Sequence, residues 1–286
     1  MTWAWLNGKE VSESSASVSI ADGGFLHGAG LFETMRAEFG RVFRWEGHLE
    51  RLKSSANVIL GGVDSADLPS RQSAESFLSR CELTEARLRL TVTSGAVRGD
   101  VTSERALTVT MTASPLSGYP PELYSRGIST VISPYRQGPH DPLAGHKTTC
   151  YLPRLMALRA AQSHACTEAI WFTHNNLLAE GSISNVILVN EGELLTPPVD
   201  TPVLPGLARA LVLSLARDSG INVNEQALTI NDLLSADEVL LTNSIMQVMP
   251  VVKIERHDVG GGQVGAMGRK LLEAYREVVT RECGCD

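Results

Sequence analysis

The sequence predicts two α/β domains, on three observations. The segments ARLRLTVT at 86–93 and RALTVTMT at 105–112 alternate apolar and polar residues with the period of a half-buried strand. Trp45, Leu49, Leu52, Ala56, Ile59 and Leu60 recur at helical spacing and form one stripe. Between these patterns and the rest of the chain lies ASPLSGYPP at 113–121, rich in Pro, Gly and Ser, which reads as a linker. The expected division is a smaller domain over 1–117 and a larger one over 118–286. A cleft between two such domains is the default ligand site.

The elements follow in order. AWLNGKE at 4–10 reads as a hairpin, and RVFRW at 41–45 as a strand entering the helix of the stripe. His48, Arg51 and Ser55 fall on one edge of that helix. Past the linker, ISTVIS at 128–133 is a strand, and a helix runs from Thr149 to about Ala161 with Pro153 tolerated in its first turn. Two strands flank the turn at Asn175–Asn176, and NVILV at 185–189 ends at the turn Glu191–Gly192. A helix from about Pro205 to Ser219 carries Leu207, Leu211 and Leu215 on its buried face, with Gly220 as its C′ residue. Strands at 238–242 and around 251–254 and a closing helix from about Arg269 complete the chain.

Bulk properties bound the function. The 286 residues are 43% hydrophobic and 20% charged, as in an ordinary globular protein. A net charge of −7 argues against general nucleic-acid binding, and no apolar run approaches the ~20 residues that span a bilayer. The start lacks the basic and apolar regions of a secretory signal. Five scattered cysteines (Cys81, Cys150, Cys166, Cys283, Cys285) suit a reducing cytoplasm better than a disulfide framework. The terminal Cys283-Gly284-Cys285 has no partner cluster for a metal and reads as a disordered tail. GAGLFE at 28–33 lacks the third Gly of a dinucleotide fingerprint and no βαβ unit surrounds it.

Several residues have the chemistry of an imine-forming site. Lys147, between Gly145 and Thr148, stands just ahead of a helix; a lysine used as an imine must be partly desolvated so that some of it is neutral. Glu180 ends a strand before GSISN at 181–185, and a carboxylate against a pyridine nitrogen favours the protonated ring. Arg51 offers a bidentate fork for a phosphate. Pro205 and Gly206 open a helix whose backbone N–H groups at Gly206, Leu207 and Ala208 can point at an anion, and Ser244 can add a hydroxyl.

These residues, in this order, resemble the fold type IV pyridoxal-phosphate family (class IV aminotransferases). It contains branched-chain and D-amino-acid aminotransferases and 4-amino-4-deoxychorismate lyase. The resemblance runs from Asp22 to Glu255 and rests chiefly on EGSISNV at 180–186, LPGLAR at 204–209 and ADEVLLTNS at 236–244. It implies pyridoxal 5'-phosphate as cofactor, a larger C-terminal pseudo-barrel domain and a homodimer. It implies Lys147 as imine-forming base and Glu180 as partner of the pyridine nitrogen. Arg51, Leu207, Ala208 and Ser244 are then expected around the phosphate, Tyr151 near the phenolic oxygen, and Gly206 and Asn243 among the other cofactor-binding residues.

Short cues within the family are similar to aminodeoxychorismate lyases: GFLHGAGLFETMR at 24–36, SGAVRG at 94–99, PLAGHK at 142–147 and TNSIMQVMPV at 242–251. In such a lyase Lys147 removes the proton from the amine-bearing carbon, and pyruvate and 4-aminobenzoate leave. Thr34 matches a Thr near the reacting face. The alternative is an aminotransferase acting on branched-chain or D-amino acids. It shares Lys147 and Glu180 and differs in whether a leaving group sits beside the carbanion. His27, Arg36, Arg98, Arg136 and Ile245 are the substrate candidates.

Overall fold

In a computed structural model, described over residues 2–97, 106–138 and 140–284, the chain forms two compact units. The first comprises Met1–Ser117, His146–Cys150 and Val279–Asp286; the second comprises Gly118–Gly145 and Tyr151–Val278. The expected contiguous domain over 118–286 is thus interrupted. Residues 146–150 hydrogen-bond along a strand of the first unit, and the last residues of the closing helix group with it.

The first unit contains β1 (Trp3–Leu6), β2 (Lys9–Ser12), α1 (Gly23–His27), β3 (Gly30–Glu38), β4 (Arg41–Val42), α2 (Trp45–Ile59), α3 (Arg71–Arg80), β5 (Ala86–Thr93) and β6 (Thr108–Pro115). Its sheet has the order β2-β1-β6-β5-β3-β4, with every described pair antiparallel. Alternation puts Met35, Leu88, Leu90, Val92 and Met111 into one core with Trp45, Leu52 and Ala56 of α2 and Phe77 and Leu78 of α3. The stripe on α2 is as expected: Trp45, Leu52, Ala56 and Leu60 are buried, and Leu49 and Ile59 pack partly against them. The opposite face of β3 and β5 carries Phe32, Thr34, Arg36, Arg87 and Arg89, with Thr34 directly across from Arg89 and Arg36 from Arg87.

The second unit contains α4 (Pro121–Arg126), β7 (Ile128–Gln137), α5 (Leu152–Ser163), β8 (Glu168–Thr173), β9 (Leu178–Gly181), β10 (Asn185–Asn190), β11 (Glu193–Thr196), α6 (Leu207–Asp218), β12 (Val223–Glu225), α7 (Ile230–Ser235), β13 (Glu238–Asn243), β14 (Gln247–Ile254), β15 (His257–Asp258) and most of α8 (Ala266–Cys283). Its strands run β12-β11-β10-β13-β14-β7-β8-β9, and β9 pairs back onto β10 at Glu180 opposite Asn185. That pairing closes β10, β13, β14, β7, β8 and β9 into a ring. β8 is buried along its whole length: Ile170 and Phe172 pack into one cluster, Ala169 and Trp171 into another. α4 claims the end of the expected linker, leaving 116–120 between elements.

Three expectations shift. On α6 the buried line is Ala208, Val212 and Ala216 with Leu211, while Leu207 and Leu215 are half-buried. The closing helix begins at Ala266, where Glu238 accepts hydrogen bonds from the amides of Met267 and Gly268. Cys283 is no tail residue: it is the last residue of α8 and only 1% exposed. Burial pushes its thiol up to about 11. Cys285 lies outside the described residues.

Candidate functional site

In the first unit, Lys147 belongs to a short segment stitched to the start of β3. Its carbonyl accepts from the Phe32 amide at 2.9 Å, Thr148 bridges Leu31, and the Thr149 amide donates to Gly30 at 2.8 Å. Lys147 is half-buried, with Nζ 4.5 Å from the centre of the Phe32 ring. The Arg89 guanidinium stacks over that same ring at 3.8 Å. Two cations therefore share one aromatic ring, with Thr34 on the same face of β3 as Phe32.

The core face of β3 holds a buried carboxylate. Glu33 Oε1 accepts from Arg51 Nε at 2.8 Å, and Oε2 accepts from Arg51 Nη2 at 2.5 Å. His48 Nδ1 lies 2.7 Å from Oε2. Burial pushes the Glu33 carboxyl up, but the Arg51 charge and the His48 hydrogen bond outweigh it and hold the group at about 2. Burial pushes His48 below the ordinary imidazole range, so at neutral pH it donates as the neutral ring. The Nε–Nη2 edge of Arg51, expected as a phosphate fork, is thus engaged by Glu33. A phosphate would be met from the other edge of the same plane.

In the second unit, Glu180 stands in β9 and is buried. Its Oε1 accepts from Arg154 Nη2 at 2.5 Å, and its Oε2 from the Leu204 amide at 3.0 Å and Asn185 Nδ2 at 3.4 Å. Arg154 also donates from Nη1 to the Gly181 carbonyl and lies over Trp171. The Tyr151 hydroxyl donates to the Ser182 carbonyl at 3.0 Å. Gly206 is the N-cap of α6, which has no side-chain cap. A Cβ at Gly206 would stand 1.8 Å from Asn185 Oδ1, so only glycine lets the helix start lie against that amide. Across from Asn185 on β13 stands Thr242, whose buried Oγ1 has no hydrogen-bond partner.

A family model for class IV amino-transferases matches residues 30–254. The chain belongs to the class IV aminotransferases. It is 33% identical over 282 residues to a putative branched-chain-amino-acid aminotransferase of Methanocaldococcus jannaschii, covering 97% of this chain and 96% of that protein. Its fold matches the branched-chain aminotransferase of Escherichia coli with a TM-score of 0.86 at 28% identity, over 98% of this chain and 95% of the other. It also matches 4-amino-4-deoxychorismate lyase of Pseudomonas aeruginosa with a TM-score of 0.85 at 27% identity, over 96% and 98%.

This class IV chain is therefore a pyridoxal-phosphate-dependent enzyme of fold type IV. Its residues fit that cofactor: a half-buried lysine on an aromatic ring, a buried carboxylate held by a cation, a glycine-opened helix start and an orphaned hydroxyl at Thr242. Among the described residues no His, Cys, Asp and Glu group has the makings of a metal site, and no helix is long and apolar enough to cross a membrane.

Other predicted residues have different surroundings. The Asn243 side chain joins two turns: Oδ1 accepts from the Ile245 and Met246 amides of its own, and Nδ2 donates to the Ile183 carbonyl of the turn 181–184. Ser244 and Ile245 are half-buried in that turn. Arg136 is exposed and donates to the Ser133 carbonyl, Arg36 pairs with Glu38, and His27 is exposed at the end of α1. Arg98 lies outside the described residues. Arg89, Glu33, Arg154 and Glu168 were not foreseen. Only Arg89 left a signal: in ARLRL it alternates with core leucines, which sends it to the face of Phe32 and Thr34.

Proposed function

We propose that this chain is an aminotransferase that moves the amino group of a branched-chain or other apolar amino acid to a 2-oxo acid. The observation that carries the reading is Lys147 on the Phe32 ring beside Arg89, in a chain whose relatives include branched-chain aminotransferases. Pyridoxal phosphate, when bound, supplies the aldehyde that captures the substrate amine and the ring that draws electrons from the neighbouring carbon. Lys147 is the residue that would hold the aldehyde and would move the proton at the substrate carbon. Stacking over Phe32 restrains it, and its half-buried setting strips part of its hydration. Arg89 meets the substrate carboxylate as a planar fork. Glu180, oriented by Arg154 and the Leu204 amide, would accept a hydrogen bond from the protonated pyridine nitrogen. The residues that would hold the phosphate are Arg51, the first-turn amides of Leu207 and Ala208, and Ser244.

A second reading, aminodeoxychorismate lyase, is favoured by Thr34, which stands two residues after Phe32 on the same strand face and directly across from Arg89. The wider likeness to branched-chain enzymes ranks it second. The protein is expected to work as a homodimer in the cytoplasm. Exposed Ile20 and Phe25, at 80% and 73%, suit cover by a second copy, which sedimentation will detect.

The test is a pair of incubations of the cofactor-loaded protein. One supplies a branched-chain amino acid, in L or D form, with 2-oxoglutarate, and follows the new 2-oxo acid. The other supplies aminodeoxychorismate alone and follows pyruvate and 4-aminobenzoate. Transamination in the first and silence in the second support the proposal. Many turnovers in the second alone replace it with the lyase. A Lys147→Ala protein that keeps a borohydride-sensitive yellow colour would refute the role of Lys147 in either reaction.

A further inference from the structure

Glu168 opens β8 and is fully buried. Its Oε1 accepts from the amides of Ala169 at 2.9 Å and Ser182 at 3.1 Å. Its Oε2 accepts from the Ile183 amide at 3.2 Å and the Ser184 hydroxyl at 3.0 Å. Three of these four donors belong to the turn 181–184, which joins β9 to β10. Gly181 is required for the wrap: a Cβ there would stand 2.2 Å from Ser184 Oγ and 3.1 Å from Glu168 Oε2. Burial pushes the Glu168 carboxyl up, and the four hydrogen bonds pull against it.

The same turn offers its carbonyls to side chains at the site. Gly181 accepts from Arg154, Ser182 from the Tyr151 hydroxyl, and Ile183 from Asn243. Arg154 then reaches Glu180 Oε1. One buried acceptor thus gathers the N–H groups of a turn whose carbonyls hold Tyr151, Arg154 and Asn243. A residue that fixes such a turn fixes all three, and through Arg154 it fixes the carboxylate of Glu180.

We propose that Glu168 is a positioning residue, which clamps the turn 181–184 and so sets the aim of Glu180 and the seats of Tyr151 and Asn243. This rests on the proposed role of Glu180 only in its last link; the clamp itself stands without it. Glutamine at 168 keeps the shape but turns an N–H₂ donor toward donors at one of the two acceptor atoms.

The experiment uses Glu168→Gln and, should that chain not fold, Ser184→Ala, which removes one bond to the carboxylate. Two signals are read by NMR: hydrogen exchange of the Ser182 and Ile183 amides without cofactor, and the nitrogen shift of bound pyridoxal phosphate labelled at its ring nitrogen. The clamp predicts exchange roughly tenfold faster, the scale of one lost hydrogen bond. The link to Glu180 predicts a ring-nitrogen signal displaced toward the unprotonated position in folded, loaded variant. Unchanged exchange would overturn the clamp. Faster exchange with an unmoved ring-nitrogen signal would reduce Glu168 to a structural residue and overturn the proposal. Failure of the proposed role of Glu180 is distinguishable: Glu180→Gln would then leave the ring-nitrogen signal of bound cofactor where wild type has it, while the exchange result stood.

Discussion

Replacing Glu33 by glutamine tests the buried charge network of the first unit. The carboxylate is 1% exposed and holds Arg51, itself 10% exposed, through two hydrogen bonds, with His48 as a third donor. Its fall from the ordinary 4.5 to about 2 corresponds to about 3 kcal/mol of stability at neutral pH. Removing one partner of a buried pair costs about 3–5 kcal/mol by general experience, so the two scales agree. Because the folded value lies below the unfolded one, the contribution is fully present above pH 4.5 or so and fades as pH falls toward 2. Urea unfolding followed by tryptophan fluorescence at pH 7, 5 and 3 will measure it. Glu33→Gln is expected to be about 3 kcal/mol less stable at pH 7, and the gap to wild type is expected to narrow by about 2 kcal/mol between pH 5 and pH 3. A gap below about 1 kcal/mol at pH 7, or one that ignores pH, would refute an ionised Glu33 clamped by Arg51.

Three further outcomes follow from particular contacts. Gly206→Ala drives a Cβ against the Asn185 amide and should cost about 1–3 kcal/mol and loosen the cofactor, read by urea unfolding and by cofactor loss on dialysis; wild-type values in both would contradict the packing. Phe77→Ala, at a side chain with no exposure, should cost about 3–5 kcal/mol in the same unfolding assay. Exposed Cys150 should react with iodoacetamide at pH 8 well before Cys283, whose buried thiol is held near 11; peptide mapping showing equal rates would count against the burial of α8's end.

What could be read in the sequence was set by periodicity and punctuation. The stripe on α2 and the Pro205-to-Gly220 frame of α6 were legible because each repeats or marks a local rule; Gly220 has φ of +73° as its C′ role requires. β3 was missed although it lies within the first sheet, because its buried face includes Glu33, and a buried charge breaks the apolar alternation that announces a strand. α3 was missed at RQSAESFLSR, where only Ala74, Phe77 and Leu78 are buried, too few to mark a stripe. Lys147, Glu180 and the start of α6 stand out in the sequence as candidates because their residue types are scarce and their order is informative. Their partners do not. Glu33 reaches Arg51 and His48 from another element, and Arg154 reaches Glu180 across 26 positions, distances over which local pattern carries no information.

The discontinuity of the first unit also governs how the chain is made. At its start β3 pairs with residues 147–149, and the unit takes its final residues from 279–286. A ribosome emits residue 117 roughly ten to thirty seconds before the C-terminus, at ordinary elongation rates. For the first few seconds of that interval, until residues 147–149 follow, the edge of β3 at Gly30–Phe32 is unsatisfied, the kind of edge that recruits foreign strands. Any fragment cut at residue 117 would leave it so permanently.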